Sequence, residues 1–220
     1  MRIELQYNPA HSLATVHLEP GESIRAEASA MVSMTTNIDT ETNSGPKKGG
    51  GFFKGLKRAM LGGESFFQNL YTARGAGAHV NLAPKLCGSM VVHNVTPGED
   101  LFVQGSSYVA APDSVNIDTK FQGFKGLFSG ESLFFLHATG QGPLLLNAFG
   151  AIEERELDGE LIVDTGHLVA FTGGINYTVS KAAAGWIASF LSGEGLVLRM
   201  QGRGKVWIQS RNPSEFGSAV

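Results

Sequence analysis

The sequence predicts an all-β protein: three antiparallel β-sandwich repeats, related by a pseudo-threefold axis and carrying short helical or loop excursions. Three observations lead there. Short apolar runs such as Leu101–Gln104, Leu144–Phe149 and Leu168–Phe171 are bounded by Gly, Pro or Asp, the pattern of buried strands rather than helices. Four landmarks return three times in the same order, at a period of roughly 60 to 70 residues. A unit of that size buries too little surface to be comfortably stable alone, so three packed together share an apolar face and cover strand edges that would otherwise aggregate.

The first landmark is a turn before a strand: Pro20-Gly21-Glu22, Pro97-Gly98-Glu99 and Asp158-Gly159-Glu160. The second is Asn37-Ile38-Asp39-Thr40, matched by Asn116-Ile117-Asp118-Thr119 and more loosely by Ile175-Asn176-Tyr177-Thr178. The third is an apolar-aromatic segment closed by Gly-Glu, ending at Glu64, Glu131 and Glu194. Its side chains, among them Phe124, Leu127, Phe128, Trp186, Phe190 and Leu191, read as core. The fourth is Gly75-Ala76-Gly77, Gly140-Gln141-Gly142 and Gly202-Arg203-Gly204, whose glycines can take the positive φ that a tight hairpin between two strands needs. The repeats are set at 1–88, 89–151 and 152–213, with a tail at 214–220, each of some six strands and all packed as one compact unit.

The first repeat departs from the others. It carries a basic, Gly-rich insertion at about 42–58, and between Gly45 and Met60 there are five basic side chains and no acidic one. The Gly-Pro-Lys part predicts a mobile loop, and the part after it a short amphipathic helix. A loop that breaks internal symmetry is a natural seat of function. Lys47, Lys48, Lys54, Lys57 and Arg58 beside Phe52, Phe53 and Leu56 therefore form the candidate contact with a protein partner or an anionic membrane surface. The alternative is a solvated loop whose apolar side packs on the sheet.

Bulk properties narrow the field. With 42% hydrophobic and 17% charged residues the chain is globular rather than disordered. A formal charge of -3 argues against nucleic acid as a general partner. One cysteine, Cys87, excludes an intrachain disulfide framework and a multi-cysteine metal site. No stretch of about 18 apolar residues occurs, and Met1–Gln6 has no apolar signal core, so the expected location is the cytoplasm.

Chemistry is sparse. His11, His17, His79, His93, His137 and His167 show no local metal-ligand spacing. Cys87 has Lys85 near it in sequence but no adjacent histidine. Glu153, Glu154 and Glu156 read as a solvated face, and the Gly-x-Gly elements as hairpin turns rather than phosphate loops. No cofactor and no catalytic residue is expected.

Together, the Pro-Gly-Glu turns, Asn-Ile-Asp-Thr, Gly123–Glu131 and the stretch Ala170–Tyr177 resemble a bacterial family of uncharacterised β proteins. Its eukaryotic relatives are the mitochondrial-biogenesis proteins named for altered inheritance of mitochondria. The likeness runs from about Leu13 to Arg211. It implies a triplicated β fold whose unit is similar to that of the trp RNA-binding attenuation protein, and it suggests self-assembly. It brings no catalytic residues, and RNA binding does not transfer with a fold. The expected function is a non-enzymatic homo-oligomeric scaffold or interaction module. The alternatives are a small-molecule or nucleic-acid binder using a pocket between repeats and, behind it, a cupin-type metalloenzyme.

Overall fold

A computed structural model describes residues 1–43, 67–118, 134–181 and 196–216. In chain order its strands are β1 (Arg2–Gln6), β2 (Leu13–Leu18), β3 (Ser23–Glu27), β4 (Met31–Met34), β5 (Ile38–Asn43), β6 (Gln68–Ala73) and β7 (Ala78–Leu82). Next come β8 (Met90–Val95), β9 (Leu101–Gln104), β10 (Tyr108–Pro112), β11 (Val115–Asp118), β12 (Phe135–Gly140) and β13 (Gly142–Asn147). The last are β14 (Ile152–Asp164), β15 (Leu168–Thr172), β16 (Ile175–Lys181) and β17 (Leu196–Gln209), followed by the single turn of α1 (Pro213–Phe216). The molecule is nearly all β, as expected, and every ladder between these strands is antiparallel.

The described strands form three sheets, with strand orders β1-β2-β7-β4, β5-β6-β3-β10-β13-β8 and β11-β12-β9-β15-β17-β14, and β16 adds to β17. Side-chain pattern follows position. Strands β3 and β7 alternate buried and half-buried residues, as strands with one covered face must. The first four residues of β10 and of β15 are apolar or aromatic, and all of them are buried. The buried side chains gather in three clusters, centred on Val16, Ile24 and Leu82, on Leu101, Tyr108 and Leu144, and on Phe135, Phe171 and Leu198. The hydroxyl of buried Tyr108 accepts from Gln68 Nε2 at 2.8 Å and donates to the Arg25 carbonyl at 3.1 Å, which removes the cost of an unpaired polar group there. Burial also pushes its ionisation well above the usual phenol range.

Two of the expected turns form, and they share one device. Gly21 (φ 84°) and Gly98 (φ 86°) take the left-handed conformation. The Glu after each reaches back to a backbone N–H, Glu22 to that of Glu19 at 2.9 Å and Glu99 to that of Thr96 at 3.0 Å. The third turn is a correction. Asp158-Gly159-Glu160 lies inside β14, which pairs without a break with β17 from Ile152↔Gln209 to Asp164↔Val197. Gly202-Arg203-Gly204 is likewise interior to β17 and makes no hairpin. The reason is local: Gly159 and Gly202 stand opposite each other with φ of 129° and 140°, so the two strands bend together and the ladder survives. A Cβ on Gly202 would also strike the Gly174 carbonyl oxygen. A Cβ on Gly174 would strike the Arg203 carbonyl oxygen and one on Gly173 the Asp100 side chain, so the distinctive Thr172-Gly173-Gly174-Ile175 stretch lacks side chains at its centre. The other two Gly-x-Gly elements link consecutive strands, β6 to β7 and β12 to β13, but the strands they link lie in different sheets, so neither closes the expected hairpin.

Candidate functional site

The titratable side chains come together in pairs, and each pair is tied to the fold. His93 Nε2 and Glu99 Oε1 lie 2.7 Å apart. Burial pushes the Glu99 carboxyl up, but hydrogen bonds from the Thr96 N–H and from His93 outweigh it and leave the acid below its ordinary range. The His93 ring meets Trp207 edge-on at 5.1 Å, and Trp207 Nε1–H donates to Glu154 Oε2 at 3.0 Å. Lys205 Nζ donates to the other Glu154 oxygen at 2.6 Å and holds that carboxyl below its ordinary range. This chain of contacts links β8, β14 and β17.

The remaining histidines are similarly engaged or exposed. His137 Nε2 meets Asp100 Oδ1 at 2.6 Å while its ring stacks on Phe102 at 4.9 Å. His167 Nδ1 meets the Gln209 carbonyl at 2.7 Å. His17 and His79 face each other across β2 and β7 with rings 5.9 Å apart. Burial, then the charges of Arg2 and His79, lowers the His17 ionisation. His11 and Cys87 are exposed. Among the described residues no group of three or more His, Cys, Asp or Glu is placed to hold a metal ion. What these pairs do is pin turns and strand ends.

A different feature sets two places apart. Strand β10 lies between β3 and β13, and β15 between β9 and β17, whereas β4 pairs with β7 alone among the described residues. All four β4 residues are exposed, with Met31 at 40%, Val32 at 58% and Met34 at 39%. The far half of β14, from Leu161 to Asp164, pairs with β17 on one side and leaves Ile162 at 56%. Beside it a hollow of about 250 Å³ is lined by Glu160, Ile162, Tyr177, Arg199 and Gln201 among others. Of the five large hydrophobic side chains exposed in the described residues, four are Met31, Val32, Met34 and Ile162, and the fifth is Tyr7. Exposed apolar side chains are ordinary when scattered, and informative when they line strand edges.

The predicted contact residues Lys47, Lys48, Phe52, Phe53, Lys54, Leu56, Lys57 and Arg58 lie outside the described residues, as do the three apolar-aromatic segments. The sequence reading missed the two edges. Met31-Val32-Ser33-Met34 is apolar in the same manner as β10 and β15, so its pattern alone indicates a strand to be covered.

Comparison with known proteins places the chain. The family model for mitochondrial biogenesis AIM24 matches residues 3–211. An uncharacterized protein of Streptococcus pyogenes serotype M6 is 30% identical over 226 aligned positions, which span all of this chain and 90% of that relative. The X-ray crystal structure of a Streptococcus pyogenes protein is similar with a TM-score of 0.81 and 26% identity, over 99% of this chain and 96% of that one. The chain belongs to the mitochondrial biogenesis AIM24 family.

Proposed function

We propose that this member of the AIM24 family is a non-enzymatic, self-associating β scaffold or interaction module, built from three copies of one six-strand unit. The observation that carries the reading is that four of the five exposed large apolar side chains among the described residues lie on two edge strands, Met31, Val32 and Met34 on β4 and Ile162 on the far half of β14. A protein that worked alone in water would gain by charging or covering such edges. The three-unit reading is supported by recurring pairings. Strands β2·β7, β8·β13 and β14·β17 are joined alike, and so are β5·β6, β11·β12 and β16·β17. The acid-histidine pairs support a structural role, since each is spent on a turn or strand end.

Native mass spectrometry of gently purified protein tests the reading. The expected result is a clean multiple of 23.3 kDa. A bare monomer at all concentrations overturns it. The hollow beside Ile162 favours a second reading, a binder of small molecules, although about 250 Å³ is below the usual ligand-pocket range of roughly 300–1,000 Å³. An extra mass retained on the protein would favour that reading. The cytoplasm is the proposed location. The basic segment remains the proposed contact with a protein partner or an anionic membrane. Replacing Lys47, Lys48, Lys54, Lys57 and Arg58 with Ser should leave the melting temperature unchanged and abolish that contact, read by vesicle sedimentation or partner pull-down.

A further inference from the structure

The described ladders contain one junction twice. At the first, β3 pairs with β10, placing Ala26 opposite Ala110, Arg25 opposite Ala111 and Ile24 opposite Pro112. At the second, β9 pairs with β15, placing Val103 opposite Ala170, Phe102 opposite Phe171 and Leu101 opposite Thr172. In both, the receiving strand carries a bulge against its other neighbour, between Tyr108 and Ala110 on β13 and between Leu168 and Ala170 on β17. Strand β4 has that same bulge against β7, between Met31 and Ser33. Aligning the bulges puts Ser33 in the place of Ala110 and Ala170, and Met34 in the place of Ala111 and Phe171.

The donating strand has its counterpart too. Leu101, Phe102 and Val103 of β9 face Ala138, His137 and Leu136 of β12. Leu161, Ile162 and Val163 of β14 face Met200, Arg199 and Leu198 of β17 in the same way. Among the described residues, β4 is therefore a receiver without a donor strand, and residues 161–163 of β14 a donor segment without a receiver strand. Each is the neighbour the other lacks, and both present apolar side chains to water.

We propose that the far half of β14 of one copy adds antiparallel to β4 of a second copy, with Val163 opposite Ser33, Ile162 opposite Met34 and Leu161 opposite Thr35. The joined sheet would run β1-β2-β7-β4, then β14, β17 and β16 of the second copy. Apart from β1, that is the order β8-β13-β10-β3-β6-β5 already present inside the chain. The two surfaces differ, so the contact is head-to-tail, and copies close into a ring or extend into a row. The register the edge demands is the one β14 supplies, and the β14 comes from a second copy because no described ladder joins β4 to β14 within the chain, where Met34 and Ile162 are both exposed. The inference rests on the scaffold reading and specifies its interface.

Cysteine cross-linking tests it. In a Cys87→Ser background, Met34→Cys and Ile162→Cys are made singly and together, then mildly oxidised. Directly opposed residues place Cβ atoms about 4.5–5.5 Å apart, close enough for a disulfide to form with a small adjustment. A mixture of the two single variants is expected to give a Met34→Cys to Ile162→Cys cross-linked dimer, with no such band from either variant alone. The double variant should give a ladder or one closed oligomer. Ile162→Lys should shift the assembly to monomer by native mass spectrometry without lowering the melting temperature. Oligomers that persist while the mixture stays uncross-linked overturn this interface and leave the scaffold reading standing. A disulfide formed only within single chains overturns it in favour of closure within the molecule. Monomers without cross-links overturn both.

Discussion

Strands β10 and β4 differ less in sequence than in fate. Tyr108-Val109-Ala110-Ala111 and Met31-Val32-Ser33-Met34 are both short apolar runs beside a bulged ladder. Every one of the first four is buried, and every one of the second four is exposed. The difference is a single neighbour: β10 has β3 on its free side and β4 has none among the described residues. A strand's burial is therefore set by what completes its sheet, and its own side chains only make completion favourable.

The sharpest way to break this comparison is to put a charge at matched positions. Val109 is 1% exposed and Val32 is 58% exposed. Val109→Asp should unfold the protein or cost on the order of 3–5 kcal/mol, since it buries an unpaired carboxylate. Val32→Asp should leave the urea midpoint of the monomer near that of the parent. Equal losses would show that β4 is covered within the chain.

A second pair sharpens it inside one ladder. Gly202 and Gly159 face each other with similar positive φ, but a Cβ on Gly202 meets the Gly174 carbonyl and one on Gly159 meets nothing within 4 Å. Both Ala variants carry backbone strain of about 1–3 kcal/mol. Gly202→Ala should lose about 1–3 kcal/mol more from overpacking, read as a lower chemical-denaturation midpoint than that of Gly159→Ala.

The third prediction concerns the turns that feed the paired donors β3 and β9. Glu22 is held low first by its hydrogen bond with the Met1 ammonium, and Glu99 by Thr96 and His93 against the effect of burial. A folded-state pKa below the ordinary 4.5 means the unfolded chain binds more protons as acid is added. The stability these carboxylates contribute is present above about pH 4.5 and is lost as pH falls through the lowered folded values. Glu99→Gln should cost about 1 kcal/mol at neutral pH and flatten part of that acid decline, measured as melting temperature against pH. The smallest effect is expected for Met34→Ser, within about 0.5 kcal/mol for the monomer, because the edge side chain packs against little in a single chain.

Much of the fold was legible. Alternating and continuous apolar runs marked most strands, and Pro20-Gly21-Glu22 and Pro97-Gly98-Glu99 marked two turns that form with their glutamates folded back on the backbone. Asp158-Gly159-Glu160 carries the same local cue and makes no turn, because Gly202 stands opposite Gly159 and lets two long strands bend without parting. A turn signal records what a backbone tolerates, and the partner strand decides whether the tolerance becomes a reversal or a bend.

The site was less legible than the fold. The basic segment from Lys47 to Arg58 stood out in sequence because charge and glycine content are local properties. The edges at Met34 and Ile162 did not, since an apolar strand reads the same whether a neighbour covers it or not. By itself, the sequence determined that this chain would be β, where most of its strands fall and that it belongs to the AIM24 family. Only the tertiary structure decided that β10 and β15 are enclosed by strands on both sides while, among the described residues, β4 and residues 161–163 of β14 have a strand on one side only. Strand neighbours are chosen by backbone hydrogen bonds between residues far apart in the chain, and those bonds are made by groups that every residue except proline shares.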